Sequence, residues 1–155
     1  MTIDNLNPFW VTGFVEKSGC FSISFAKRQR CKFGVEIRPS FSISHHYSNL
    51  VILNKLHDFF GCGGIRYSKR DRTYKYEVRN LDNLVTKIIP HFQLYPLQTS
   101  KQEDFNTFVF ICLKLKRNLH KQQSQCIEII EIAYSMNLSG VRKYRKEDLL
   151  KLIIS

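Results

Sequence analysis

Hydrophobic and polar positions change period several times along this chain, and the changes mark its elements. Asn7-Pro8 opens a helix, with Asn as N-cap and Pro at the first helical position. The helix runs to about Ser18 and stops at Gly19, a residue suited to follow a helix end. Phe9, Thr12, Gly13 and Glu16 share one of its faces and Trp10 and Phe14 another, so both faces call for cover, and Trp10 reads as core. After Gly19 the period becomes two. Phe21, Ile23 and Phe25 alternate with Ser22, Ser24 and Ala26; Phe33, Val35, Ile37, Phe41 and Ile43 alternate with Lys32, Glu36, Arg38, Ser40, Ser42 and Ser44. These are two half-buried antiparallel strands, and Pro39 puts the second at an edge or marks a bulge.

Helical spacing returns over Asn49–Phe60 and ends at Gly61-Cys62-Gly63-Gly64. A second hairpin follows, Ile65–Arg70 and Arg72–Arg79 around Asp71, in which Tyr74, Tyr76 and Val78 take the apolar side. Further helices fit Leu81–Ile89 (stopped by Pro90), Lys101–Asn118, Gln122–Met136 and Lys146–Ile153, the last after a basic linker, Ser139–Arg145. The order is α-β-β-α-β-β-α followed by more helices. It predicts one α+β domain over residues 1–155, its core at about 8–136, with a four-stranded antiparallel sheet. Helices cover the apolar face and leave a hydroxyl-rich, basic face open.

Composition sharpens this picture. The chain has 155 residues and 24 Lys and Arg against 13 Asp and Glu, a net charge of +11. Such a surplus favours a polyanion, nucleic acid before an anionic membrane. The longest apolar run, Phe108–Leu113, is far short of a membrane span. The opening Met1–Leu6 reads as neither signal nor transit peptide. Five cysteines, odd in number and without a C-x-x-C pair, read as free packing thiols of a reducing compartment.

The charge concentrates where a nucleic-acid groove would want it. The open strands present Arg38, Ser40, Ser42, Arg66, Ser68, Lys75 and Arg79, and the hairpin tips carry Lys27, Arg28, Arg30, Lys32, Lys69, Arg70 and Arg72. Lys and Arg displace counterions from phosphates, while Ser and Arg reach base edges or sugars. Lys101 and the tail residues Arg142, Lys143 and Arg145 join this set, the tail as an arm that orders on a polyanion. Lys114, Lys116, Arg117 and Lys121 either touch phosphate or form a solvated cluster. His45 and His46 read as one buried and one solvated ring.

Val11-Thr12-Gly13-Phe14-Val15-Glu16-Lys17-Ser18-Gly19, followed by Cys20-Phe21, resembles the motif of the LAGLIDADG homing endonucleases. Phe41-Ser42-Ile43, Phe59-Phe60-Gly61-Cys62-Gly63, Tyr76–Leu81, Ile89-Pro90 and Tyr95-Pro96-Leu97 follow in family order, so the resemblance covers about Pro8 to Ile154. It implies a saddle-shaped sheet and a homodimer paired through the motif helices, with Phe9, Thr12, Gly13 and Glu16 at the interface. It also implies a divalent metal held by an acid just before the last motif glycine. Here that position is Ser18, a poor ligand for a hard cation. The polar residue expected near the end of the second strand falls on His45. The supporting lysine falls on Ser100, with Lys101 one place late, and Glu16 serves packing or a cap.

With these positions degenerate, the resemblance leads to a binding module that has lost cleavage and needs no cofactor. Structured organellar RNA is then the favoured partner, ribosomal RNA in an organellar ribosome or an intron in a maturase role. The alternative is an active homing endonuclease making magnesium-dependent double-strand cuts in DNA; a DNA-binding regulator is a third. Membrane binding is not expected. By resemblance alone the protein belongs in a mitochondrion or plastid.

Overall fold

A computed structural model describes residues 5–46, 50–137 and 140–155. Met1–Asp4, Asn49, Ser139 and the side chain of His46, on which some of the expectations above fall, lie outside the described residues. Helix α1 (Pro8–Ser18) starts as the sequence predicts, the Asn7 side chain accepting from the backbone N–H of Phe9 at 2.9 Å and of Trp10 at 3.4 Å. Its end differs from expectation. Gly19 is extended, at φ −96° and ψ 163°, and feeds straight into strand β1 (Gly19–Lys27). Glycine is required there by closeness, because a Cβ would lie 2.6 Å from Val15 Cγ1.

Strands β2 (Val35–His46), β3 (Gly64–Ser68) and β4 (Thr73–Val78) complete one antiparallel sheet in the order β1-β2-β4-β3. Helix α2 (Leu50–Phe60) connects the two hairpins. Pro39 has both predicted characters resolved: β2 is interior over Phe41–His46, where it pairs β4, but at Pro39 it pairs β1 alone, opposite Ile23. A prolyl residue is tolerated where its missing donor faces no neighbouring strand.

Pro90 does not stop the third helix. Helix α3 (Leu81–Asn83), capped by Asn80, passes through a π turn (Leu84–Ile88) into α4 (Ile89–Leu94), with Pro90 in the first turn of α4. The wider turn sits just where the proline ring removes a helical donor. Helices α5 (Lys101–Lys116), α6 (Gln123–Ala133) and α7 (Lys146–Ile154) follow. Leu149 and Ile153 of α7 are buried, so the core extends beyond residue 136.

The core lies between the apolar sheet face and α2, the π turn and α5. Phe21 centres it, its ring 5.1–5.4 Å from those of Phe41, Phe92, Phe105 and Phe108. Tyr76 packs here as alternation predicts, its hydroxyl donating to the Cys62 carbonyl at 2.7 Å. The cysteines are free thiols; Cys62, Cys112 and Cys126 are buried packing groups.

One buried polar contact seats α1. Thr12 Oγ1 donates to the Tyr95 carbonyl at 2.9 Å, so at 3.1 Å it accepts from Nε2–H of His91. Burial holds the His91 imidazole down at about 4, against an ordinary 6.5. Between those values the unfolded chain binds the proton and the folded one does not, so stability rises with pH. This contribution is complete above the unfolded value and lost as pH falls through the window. The expected outcome is a melting temperature lower at pH 5 than at pH 7 by on the order of 5 °C. Thermal unfolding of His91→Gln across the same range should show a flatter slope.

Candidate nucleic-acid interface

A locked register puts every second side chain of all four strands on one surface. Cys20, Ser22 and Ser24 of β1 lie opposite Ser42, Ser40 and Arg38 of β2. Ser42 and Ser44 lie opposite Glu77 and Lys75 of β4, and Arg66 and Ser68 of β3 extend the rows. The first hairpin tip adds Lys27, Arg28, Arg30 and Lys32, and the second adds Lys69, Arg70 and Arg72, all exposed. Ser44, Arg66, Ser68, Thr73 and Lys75, with Tyr67 and Asp71, line a hollow of about 360 Å³ on this side.

Two carboxylates interrupt the positive face. Glu36 lies 3.2 Å from Nε of both Arg28 and Arg38 and 3.9 Å from Arg30. Glu77 lies 2.9 Å from Arg79 Nε, 3.4 Å from Arg66 and 3.5 Å from Lys75. Hydrogen bonds and charge from Arg38, then Arg28, hold the Glu36 carboxyl below its ordinary range. Sequence reading left Glu36 and Glu77 out of the site, although alternation alone puts them on the open face.

The motif helix ends where this face begins. There the Lys101 ammonium donates to Val15 O at 3.0 Å and to the carbonyl of Gly19, the first residue of β1. Glu16 reaches the other way and caps the segment before α5, accepting from the backbone N–H of Gln98 and Thr99 and from the Thr99 hydroxyl. Desolvation opposes ionisation of Glu16, but these donors and Lys101 outweigh it and hold the carboxyl below its usual range. Ser18 is half-buried beside them. A pocket of about 490 Å³ adjoins, lined by Gly19, Cys20, Ser100, Lys101, Glu103 and Asp104 among others.

The LAGLIDADG endonuclease family model matches residues 11–112. The chain belongs to that family. It is 31% identical over 149 residues to a protein of Neurospora crassa named probable intron-encoded endonuclease 2, covering 96% of this chain and 33% of that protein. It is 30% identical over 133 residues to probable intron-encoded DNA endonuclease 1 of Mycosarcoma maydis, 86% of this chain and 47% of the other. The chain thus spans a third to a half of these relatives' length. The crystal structure of a homing endonuclease, I-TnaI, superposes with a TM-score of 0.84 at 33% identity over 97% of both chains. The meganuclease I-SmaMI, bound to uncleaveable DNA, gives 0.84 at 28% identity over 90% of this chain and 46% of its own.

Within the LAGLIDADG fold, several positions behave differently from their sequence-based assignment. Thr12 and Glu16 are bonded within their own chain, toward residues 91–99. The uncovered face of α1 is Phe9, Trp10 and Gly13: Phe9 is 70% and Trp10 44% exposed, and nothing lies within 4 Å of a Cβ placed on Gly13. Trp10 therefore belongs to the surface; its ring stacks on Phe14, which stacks on His45 at 5.3 Å. His45 is thereby packed against α1. Ser100 is exposed at the start of α5, and Lys101 is the lysine that reaches the motif end, because its stem is long enough to turn back onto α1.

Lys101 and Arg142, expected to contact nucleic acid, are engaged within the fold. Arg142 is half-buried, donating to the carbonyls of Ile23 and Ala133 and lying over the rings of Tyr134 and Phe25. With Asn137, which donates to Phe21 O at 2.8 Å, it covers the outer edge of β1. The segment around it is thus part of the fold and not a loose arm. Ser42 is buried, Ser40 is bonded to Ser22 at 2.8 Å, and Arg145 pairs with Asp148 at 3.3 Å. Lys143 and Lys27 both lie over the Tyr144 ring.

A divalent cation at the end of the motif helix calls for a carboxylate there. Ser18 supplies a neutral hydroxyl, Glu16 is committed to residues 98 and 99, and Lys101 brings a positive charge to the same carbonyls. The residues of this motif end do not fit such an ion. Among the described residues no group of three His, Cys, Asp or Glu is placed to hold one.

Arg142 and Arg66 should separate fold from binding. Arg142→Ala is expected to cost about 2 kcal/mol in urea unfolding by stripping the carbonyls of Ile23 and Ala133 of their donor. Arg66→Ala should leave stability within about 0.5 kcal/mol and weaken nucleic-acid binding, read by fluorescence anisotropy.

Proposed function

We propose that this chain recognises double-stranded DNA as one half of a homing-endonuclease saddle, and that its own motif end does not form a cutting centre. The carrying observation is the open face itself: four strands in register present Ser, Thr, Arg and Lys, and two cationic hairpin tips extend the rows. This is the pattern for positioning on phosphates while reading base edges in a groove. The match to about half of I-SmaMI, a meganuclease described as bound to DNA, supports the DNA reading over the RNA one. Relatives described from ND4 intron 1 of Podospora anserina and cox1 intron 2 of Schizosaccharomyces pombe support an organellar origin.

The second half meets this one through α1. Phe9 and Trp10 are exposed apolar groups beside Gly13, over which a second helix backbone can come close. A partner helix carrying an acid at the position of Ser18 would supply a metal ligand that this chain lacks; a second copy of this chain would not. Self-paired copies therefore hold DNA without efficient cutting. An RNA target, intronic or ribosomal, draws its support from Ser18 alone, as a surface that binds without cleaving.

Selection from pooled random duplexes and organellar transcripts is the test. Duplex DNA with a shared core should be enriched; enrichment of transcripts would favour the RNA reading instead. On the selected duplex with magnesium, Ser18→Glu should cut at least on the order of a hundredfold faster than the unmodified chain. Robust cutting by the unmodified chain would overturn the assignment of Ser18.

A further inference from the structure

Six cations on the open side are gathered around two carboxylates. Arg28, Arg30 and Arg38 surround Glu36, and Arg66, Lys75 and Arg79 surround Glu77. The glutamates lie deeper than their partners: the Glu77 side chain is 11% exposed, against 34–61% for its three cations. A surface built only to neutralise phosphates gains from every uncompensated cation and loses from every carboxylate. Two anions at the centres of two cationic clusters work against affinity, and geometry shows what they do instead. Glu36 takes Nε of Arg28 and both Nε and Nη2 of Arg38, and Glu77 takes Nε of Arg79 and lies 3.4 Å from Nη2 of Arg66, so in each of these arginines at least one Nη is left to face outward. A guanidinium held by Nε keeps Nη donors facing outward in a fixed plane, the arrangement suited to acceptors on a guanine edge.

We infer that Glu36 and Glu77 are specificity-determining positioning residues, which orient the arginines toward base edges and suppress binding to unrelated phosphate backbone. This rests on the DNA reading above and assigns discrimination to two acidic side chains within a basic face. Removing either charge frees its cations to follow phosphates, so binding becomes tighter and less selective. Arg28 and Arg30 at one end and Arg66 and Arg79 at the other then act as mobile charges.

Glu36→Gln and Glu77→Gln, each verified by melting temperature, are compared with the unmodified chain on the selected duplex and an unrelated one, at several salt concentrations. The expected result is unrelated-duplex affinity raised roughly fivefold, a salt slope steeper by about one, and a selected-to-unrelated ratio lowered about tenfold. Equal changes on both duplexes, or an unchanged ratio and slope, would overturn the proposal. Glu36 is the more exposed of the two, so its variant decides the matter if Glu77→Gln unfolds. Absence of any duplex preference in the unmodified chain defeats the DNA reading itself, and the role of the glutamates with it.

Discussion

Where α1 passes into β1, the Lys101 ammonium bonds two backbone carbonyls: Val15 O, which the Gly19 N–H also reaches, and Gly19 O at the start of the strand. On the neighbouring turn, Glu16 holds the backbone of residues 98 and 99, some 82 residues away in the chain. These opposite charges clamp the loop before α5 onto the end of the motif helix from both sides. Cations are favoured at a helix C-terminus, and a carboxylate accepting backbone N–H groups is among the stronger local bonds. Because α1 passes into β1 without a loop, the clamp also sets where the first strand leaves. From there the alternation of apolar and polar positions sets the register of the sheet, and with it the rows of side chains on the open face.

Much of this was legible in the sequence because the two sheet faces differ so sharply in polarity. Alternation located all four strands and assigned Tyr76 inward, and a one-residue slip would have reversed every assignment. Asn7-Pro8 announced α1 through a cap chemistry that needs no tertiary context. Where reading failed, the missing information was three-dimensional. A helical wheel groups Thr12 with Phe9 but cannot tell that Thr12 meets His91 while Phe9 meets solvent. The family resemblance placed Ser100 at the lysine position, whereas the reach of the Lys101 stem decides which residue arrives at the motif end. Pro90 looked like a stop because a π turn leaves no composition signal.

Charge alone does not separate cations that face solvent from cations that hold the fold. Lys101 and Arg142 are structural cations, seated on backbone carbonyls, and Arg145 is held at a helix start by Asp148. Long basic side chains bury their stems and bring a donor to carbonyls that nothing else can satisfy. The open face is accordingly less positive than a count along the chain implies, and Glu36 and Glu77 divide what remains into two separate clusters. The organisation is that of a surface with preferred points of contact, unlike an even cationic coat.

The outer edge of β1 has a consequence for assembly. A strand at the border of a sheet carries a row of unpaired amides that can recruit another strand. Here Asn137 and Arg142 occupy the carbonyls of Phe21 and Ile23 with side-chain donors. Across the sheet, the part of β2 beyond the reach of β4 contains Pro39, which has no amide hydrogen to give. Backbone templating is thus blocked along the β1 edge and weakened at this stretch of β2. Growth of the sheet by strand addition is discouraged along that border, while β3 forms the opposite edge of the sheet.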